Sequence, residues 1–332
     1  MELCKKRILV TGGGGFLGRH VIARLRAIGC QKVLSPRRLQ FDLTREVEIH
    51  RLVNAYRPHV VIHLAAAVGG IGRHLKCAGE FVYQNVVMGC QLIEACRRVR
   101  AEKFLTAGTI CAYPKVTPVP FNEDDLWNGY PAEVTAPYGL AKKILIVQSE
   151  AYYQQYGFKA INLLLANLYG PGDHFDTENG HVIPSLIRRF VEAAQHGSET
   201  VTVWGSGTAT REFLYAEDAA VAISRAAEHL ETPAPINIGT GKETTIADLA
   251  RMIAVKTDFR GSIRFDASRP DGQPRRCLDI SRAKRLLSFQ ATTSLSEGLN
   301  RTIAWYRSSL PTAAQVQDGK TRPPVERVRK CA

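Results

Sequence analysis

The chain has 332 residues, 45% of them apolar and 23% charged, as in a globular protein with a sizeable core. These values exclude a disordered chain, a collagen-like repeat and a small disulfide scaffold, and no apolar run approaches the ~18 residues that span a bilayer. A balance of 44 basic and 31 acidic residues leaves a charge of +13, which favours anionic partners without choosing between nucleic acid, a membrane surface and a phosphorylated small molecule.

Met1 leads directly into a strand and a glycine-rich turn, with no signal-peptide apolar region, so a cytoplasmic location is expected. Strands are expected over residues 7–10, 32–34, 60–65, 103–106 and 160–166. Helical patterns lie between and after them, over 16–28, 44–56, 82–99 and 138–156. Short strands that are apolar on both sides, separated by helices, predict an α/β fold with a Rossmann-type doubly wound parallel sheet. In such a sheet the ligand sits beyond the carboxyl ends of the strands. From Tyr169 onward the texture changes: the turn cluster Gly170-Pro171-Gly172-Asp173 precedes a helix over 184–194. Short strands follow over 201–204, 212–215 and 235–238. Thr245 with Asp248 then reads as the cap of a helix whose core face is Ile246, Leu249 and Ile253. The expected division is a dinucleotide-binding domain over 1–168, with segments near 212–240 returning to it. A smaller, discontinuous lobe covers 169–310. The basic segment 311–332, with Pro323-Pro324, reads as a disordered tail.

The eight cysteines show no zinc-like spacing and read as reduced thiols. His59 and His63 flank the buried-strand sequence Val60-Val61-Ile62 instead of sharing a helix face, so no metal site is expected.

Gly12, Gly15 and Gly18 have the spacing of a dinucleotide turn between the first strand and a helix opened by Phe16 and Leu17. Gly12 allows the tight turn, Gly15 lets a pyrophosphate approach the backbone, and Gly18 permits close packing. The free N–H groups of the helix start face the anion. The second strand ends in Ser35-Pro36-Arg37-Arg38 without the carboxylate that accepts from a ribose 2′-OH. Arg37 and Arg38 can instead pair with a 2′-phosphate, which predicts NADP(H); Asp42 is a candidate for the adenine amino group. Tyr138 and Lys142 stand four apart on one helix face, and the lysine charge is expected to bring the phenol towards a working range for proton transfer.

That pairing, downstream of the glycine turn, resembles the extended short-chain dehydrogenase/reductases. The stretches AAVGGI (66–71), GTICAYPK (108–115), NLYGP (167–171), GHVIP (180–184), VWGSG (203–207), REFL (211–214) and DGQPRR (271–276) resemble the GDP-L-fucose synthase family within them. The likeness runs from residue 7 to about residue 309. It implies NADPH-dependent epimerisation at C3 and C5 and reduction at C4 of a GDP-4-keto-6-deoxymannose-type sugar. A C4 ketone acidifies the C3 and C5 protons, and a thiol with an imidazole can exchange protons near neutral pH. By the resemblance Cys111 and His181 are that pair, Tyr138 protonates the C4 oxygen, Lys142 tunes it and contacts the cofactor, and Thr109 takes the place of a family serine. Ala65, Ala66, Asn167 and Leu168 fall at cofactor positions. Arg189, Trp204, Arg211 and Arg276 fall at positions contacting the nucleotide diphosphate or sugar. A homodimer joined through the helices over 82–99 and 138–156 is also implied.

Thr109, Ile110, Ala112 and Gly180 depart from the family around the chemistry, which leaves a related sugar open. Two alternatives remain within enzymes: a redox-neutral epimerase that retains its cofactor, and a 4-ketoreductase without epimerisation. A basic nucleic-acid-binding member of the fold is set aside because no aromatic residues interleave with the basic ones.

Overall fold

Strands β1 (Ile8–Thr11) and β3 (Val60–His63) are fully buried, and their alternate residues enter two different cores. Ile8, Val10, Val60 and Ile62 face one core, while Leu9 and Val61 face the other. Both faces therefore had to be apolar, and this is why the strands read as continuous apolar runs. With β2 (Val33–Leu34), β4 (Lys103–Thr109), β5 (Ala160–Leu165) and a later strand at Ile236–Ile238, they form a six-stranded parallel sheet. The computed structural model describes residues 1–177, 180–269 and 271–310; the expected tail at 311–332 lies outside the described residues.

Helix α1 (Phe16–Ala27) packs on one face of this sheet. Helices α2 (Glu46–Tyr56), α4 (Ala78–Arg98) and α5 (Ala136–Tyr156) cover the other. The short helix α3 (Ile71–Lys76), not expected from the sequence, precedes α4. Two predicted boundaries move for identifiable reasons. β4 runs on to Thr109 because it stays paired with β5 as far as Thr109–Leu165. α5 starts two residues early because Pro137 fits its first turn, where no N–H is needed.

Beyond β5 the chain builds β6 (Asn167–Tyr169), α6 (Val182–His196), β7 (Thr200–Trp204), β8 (Thr210–Tyr215) and α7 (Ala216–His229). It continues with β9 (Ile236–Ile238), β10 (Glu243–Thr245), α8 (Ile246–Lys256), β11 (Ser262–Asp266), α9 (Ser281–Leu287) and α10 (Leu295–Ser309). Of the stretch near 212–240, α7 and β9 pack with the six-stranded sheet, whereas β8 pairs with β6 and β10 in a three-stranded sheet of its own. A second core forms where Ile183, Leu186, Ile187 and Phe190 of α6 meet Leu249 and Ile253 of α8 and Leu299 and Ile303 of α10. Thr245 caps α8, accepting from the Asp248 N–H at 3.0 Å, as its sequence predicts.

Glu212 of β8 links the layers. Its carboxylate accepts from the backbone of Thr240, Gly241 and Leu278, so the loop after β9 and the segment before α9 hang on one buried side chain.

Candidate active site

The turn from β1 to α1 puts Gly12 at φ +70°, which disfavours any side chain, and a Cβ there would stand 2.6 Å from the Ala65 nitrogen. A Cβ on Gly18 would stand 2.2 Å from the Gly12 oxygen, so the helix lies directly on the turn. Gly15 is the N-cap of α1 and has no side chain to cap it, and the first turn carries no acidic residue. Its unclaimed N–H groups suit a pyrophosphate. Ala65 and Ala66 follow β3 on the neighbouring loop. That loop is held by Asn85 of α4, which donates to the Ala67 oxygen at 2.8 Å and accepts from its nitrogen at 3.2 Å. Asn85 carries no signal in the sequence beyond its place on a helix.

At the end of β2, Arg37 and Arg38 are exposed and no carboxylate takes the ribose position. Asp42 is occupied: its Oδ1 accepts from the Thr44 nitrogen and hydroxyl at 3.0 and 2.8 Å, and its Oδ2 lies 3.9 Å from Arg38. Burial pulls the Asp42 carboxyl upward, but these partners outweigh it and its pKa falls. Asn167, at the start of β6, donates to the Glu212 carbonyl at 2.9 Å, with Leu168 next to it on the strand.

The chemistry-bearing side chains gather beyond the carboxyl ends of β3, β4 and β5. Tyr138 and Lys142 of α5 are both buried, with the Lys142 ammonium 5.8 Å from the Tyr138 ring centre. Burial lowers the Lys142 pKa to about 8. Burial also raises that of Tyr138, assisted by the Cys111 charge. The expected lowering of the phenol by Lys142 is therefore not what the fold produces: desolvation of the phenolate prevails. Thr109 ends β4 and caps the single turn Ile110–Ala112, accepting from the Cys111 N–H at 3.1 Å. Its hydroxyl proton is left to donate elsewhere. Arg276 closes on the thiol from the segment before α9, an N–H lying 3.5 Å from the Cys111 sulfur, and is itself held by Gln273 at 2.8 Å.

His181 is the N-cap of α6 but does not cap it. Its Nδ1 stands 3.8 Å from Asp173 in the preceding turn. Desolvation lowers the imidazole pKa, yet the hydrogen bond and charge of Asp173 together outweigh it, and the net direction is upward. The ring keeps 45% of its surface exposed, while Asp173 is almost wholly buried with one carboxylate oxygen lacking any hydrogen-bond partner. A buried, half-satisfied carboxylate is costly, and here it offsets the unfavourable meeting of an imidazolium with a positive helix start. The sequence offered Asp173 only as part of a turn cluster.

His74 of α3 was also missed. Its ring meets Tyr138 at 5.8 Å and Phe81 at 5.0 Å, and the charges of His181 and Arg276 reach it. Cys111, Tyr138, His74, His181 and Arg276 are thus neighbours, joined by a ring contact, a hydrogen bond and the reach of their charges.

A basic trail leads away from it. Arg211 donates to the Gln273 and Asp271 carbonyls, and burial with Arg276 alongside lowers its pKa to about 10. The Asp271 side chain accepts from the Ser206 nitrogen at 2.7 Å, which fixes the loop after Trp204. Arg189 and Arg269 stand 5.4 and 5.0 Å from the half-exposed Trp204 ring, and Arg189 also donates to the Thr202 and Thr177 carbonyls. All four predicted substrate residues therefore lie along one path. His59 and His63 do not share a site: His59 accepts from the Arg7 nitrogen and His63 bonds Thr11 at 2.7 Å. Among the described residues no cluster of three or more His, Cys, Asp or Glu could hold a metal, and no helix is long and apolar enough to cross a membrane.

Residues 8–239, which include the glycine turn and the Tyr138–Lys142 pair of α5, match the NAD dependent epimerase/dehydratase family. The chain belongs to that family. Within it, the sequence is 39% identical to the GDP-L-fucose synthase of Sinorhizobium fredii over 308 residues, covering 92% of this chain and 96% of the relative. It is 36% identical to the GDP-L-fucose synthase of Escherichia coli over 313 residues, covering 92% and 97%. The structure of a GDP-L-fucose synthetase from Naegleria fowleri bound to NADP superposes with a TM-score of 0.82 at 28% identity, covering 91% of this chain and 94% of that one.

Proposed function

We propose that this family member converts a GDP-4-keto-6-deoxymannose-type sugar to GDP-L-fucose or a close relative, inverting C3 and C5 and reducing C4 with NADPH. The observation that carries this reading is that Arg276 reaches the Cys111 thiol at 3.5 Å, the Cys111 charge acts on Tyr138 with Lys142 beside it, and the His181 charge acts on the ring packed against Tyr138. Curated relatives named GDP-L-fucose synthase support the substrate class, and the NADP-bound neighbour supports the cofactor. The exposed Arg37 and Arg38 at the end of β2, with no carboxylate between them and the β1 turn, suit a 2′-phosphate.

Bound at the Gly12–Gly18 turn with Ala65, Ala66, Asn167 and Leu168 alongside, NADPH supplies a hydride. The chain's own residues do the rest. Cys111 and His181 take and return the acidic protons at C3 and C5 through an enolate, each reaching one face of the ring. Asp173 keeps His181 able to hold its proton. Thr109 donates its free hydroxyl hydrogen to the C4 oxygen, and Tyr138 gives that oxygen its proton, with the Lys142 ammonium beside the phenolate that results. Arg211 and Arg276 meet the diphosphate and sugar, and Arg189 with Trp204 the nucleoside end. Exposed Val82 and Tyr83 on α4 and Ile144, Val147 and Tyr153 on α5 support a homodimer through these helices, which light scattering reading a monomer would refute. Free thiols at Cys4, Cys30, Cys90, Cys96, Cys111 and Cys277 support a cytoplasmic location; Cys77, read from the sequence as a reduced thiol, is instead disulfide-bonded.

The test is incubation with GDP-4-keto-6-deoxymannose and NADPH in deuterated water. Cofactor oxidation with deuterium at C3 and C5 is expected. Oxidation without deuterium would reduce the enzyme to a ketoreductase, and deuterium without oxidation to a redox-neutral epimerase.

A further inference from the structure

We infer that His74 is a sugar-binding residue of this site, using its imidazole to hold a hydroxyl of the 4-keto sugar on the side where Tyr138 stands. This rests on the reading of the site given above. His74 lies on α3, beyond the carboxyl end of β3, and only 6% of it is exposed. Its ring stands edge-to-face against Phe81 and Tyr138, which fixes its plane. No hydrogen bond is made to either ring nitrogen among the described residues, and neither nitrogen is fully enclosed by protein, so each can still meet a bound group. The charged groups acting on it are His181, Arg276 and Arg73, and Arg276 also bonds Cys111, whose charge acts on Tyr138.

The environment also sets its chemistry. Desolvation, then the positive neighbours, lower its pKa to about 4. The ring is therefore neutral at physiological pH, with one donor nitrogen and one acceptor nitrogen. A group of that kind does not compete with His181 as an acid. It suits a hydroxyl, which both accepts and donates, better than a phosphate or carboxylate, for which the arginines serve.

The experiment compares the wild type with His74→Phe, which keeps both ring contacts but no hydrogen bond, and His74→Asn, which keeps donor and acceptor. KM is measured for GDP-4-keto-6-deoxymannose and for NADPH. His74→Phe should raise KM for the sugar about tenfold, the loss of one buried hydrogen bond, with KM for NADPH within twofold. His74→Asn should restore the sugar KM to within about threefold. Should His74→Phe not fold, His74→Leu replaces it in the comparison. A sugar KM unchanged in the apolar variant, a KM rise shared equally by NADPH, or no rescue by asparagine would overturn the inference. A wild-type enzyme that turns over no GDP-4-keto sugar would instead overturn the proposed function.

Discussion

Replacing Asp173 by asparagine removes the carboxylate that, among the described residues, raises the His181 pKa. The carboxylate stands 3.8 Å from Nδ1, a distance at which unit charges attract by roughly 1 kcal/mol in water and about 4 kcal/mol at an effective dielectric near 20. Because 45% of the His181 side chain is exposed, the solvent-screened end applies, about 1–2 kcal/mol. At about 1.4 kcal/mol per pKa unit, the imidazole should titrate roughly one unit lower in Asp173→Asn. Asparagine can keep the bond that Asp173 accepts from the His174 nitrogen at 2.7 Å, so the turn should survive. The assay is an NMR titration of the His181 ring in both proteins, together with deuterium wash-in at C3 and C5 at a pH well above both proteins' His181 pKa values. Wash-in should fall about tenfold there, following the imidazolium population, while binding of NADPH is unchanged. A His181 pKa that stays put or rises in the variant would refute the electrostatic argument.

Other expectations follow from the same geometry. Arg37→Ala combined with Arg38→Ala should weaken NADPH binding by roughly 10- to 100-fold, the range of a lost charge-assisted pair or two, and leave NADH almost unaffected; equal losses for both cofactors, read by fluorescence titration, would contradict the 2′-phosphate assignment. Gly18→Ala forces a Cβ against the Gly12 oxygen at 2.2 Å and should cost about 1–3 kcal/mol in urea unfolding, so an unchanged midpoint would count against the packing described. Burial lowers His63 to about 3, and desolvation with nearby cations lowers His74 to about 4, both below the 6.5 of a solvated histidine. The unfolded chain thus takes up protons first, and stability should fall as pH drops from about 6.5 towards 4. Thermal melts should show a shallower fall in His74→Gln than in wild type; equal slopes would remove His74 from this account.

Period and punctuation made the sheet readable in advance. Ile8–Thr11 and Val60–His63 carry apolar residues on both faces because two cores need them, and that demand is written into each strand locally. The glycines at 12, 15 and 18 and the Tyr138–Lys142 spacing are equally local, since a turn and one helical repeat fix their relations. Motif likeness then carried Cys111, His181 and the arginines, although no spacing in the chain joins them. The sequence-based reading erred where it inferred an electrostatic outcome from a neighbour: Lys142 beside Tyr138 argued for a lowered phenol, while burial, which belongs to the whole fold, raises it.

What the chain alone determined was therefore the doubly wound sheet, the nucleotide turn and the residue types available for proton transfer. Tertiary structure decided which of them meet. Asp173 reaches His181 only because the turn after β6 folds back against the start of α6, and His74 turns to Tyr138 only through an unforeseen short helix after β3. Arg276 arrives at Cys111 from 165 positions away. Contacts of that range carry no local periodicity, and burial, which lowers Lys142 and His74 and raises Tyr138, exists only once the chain has folded around those side chains.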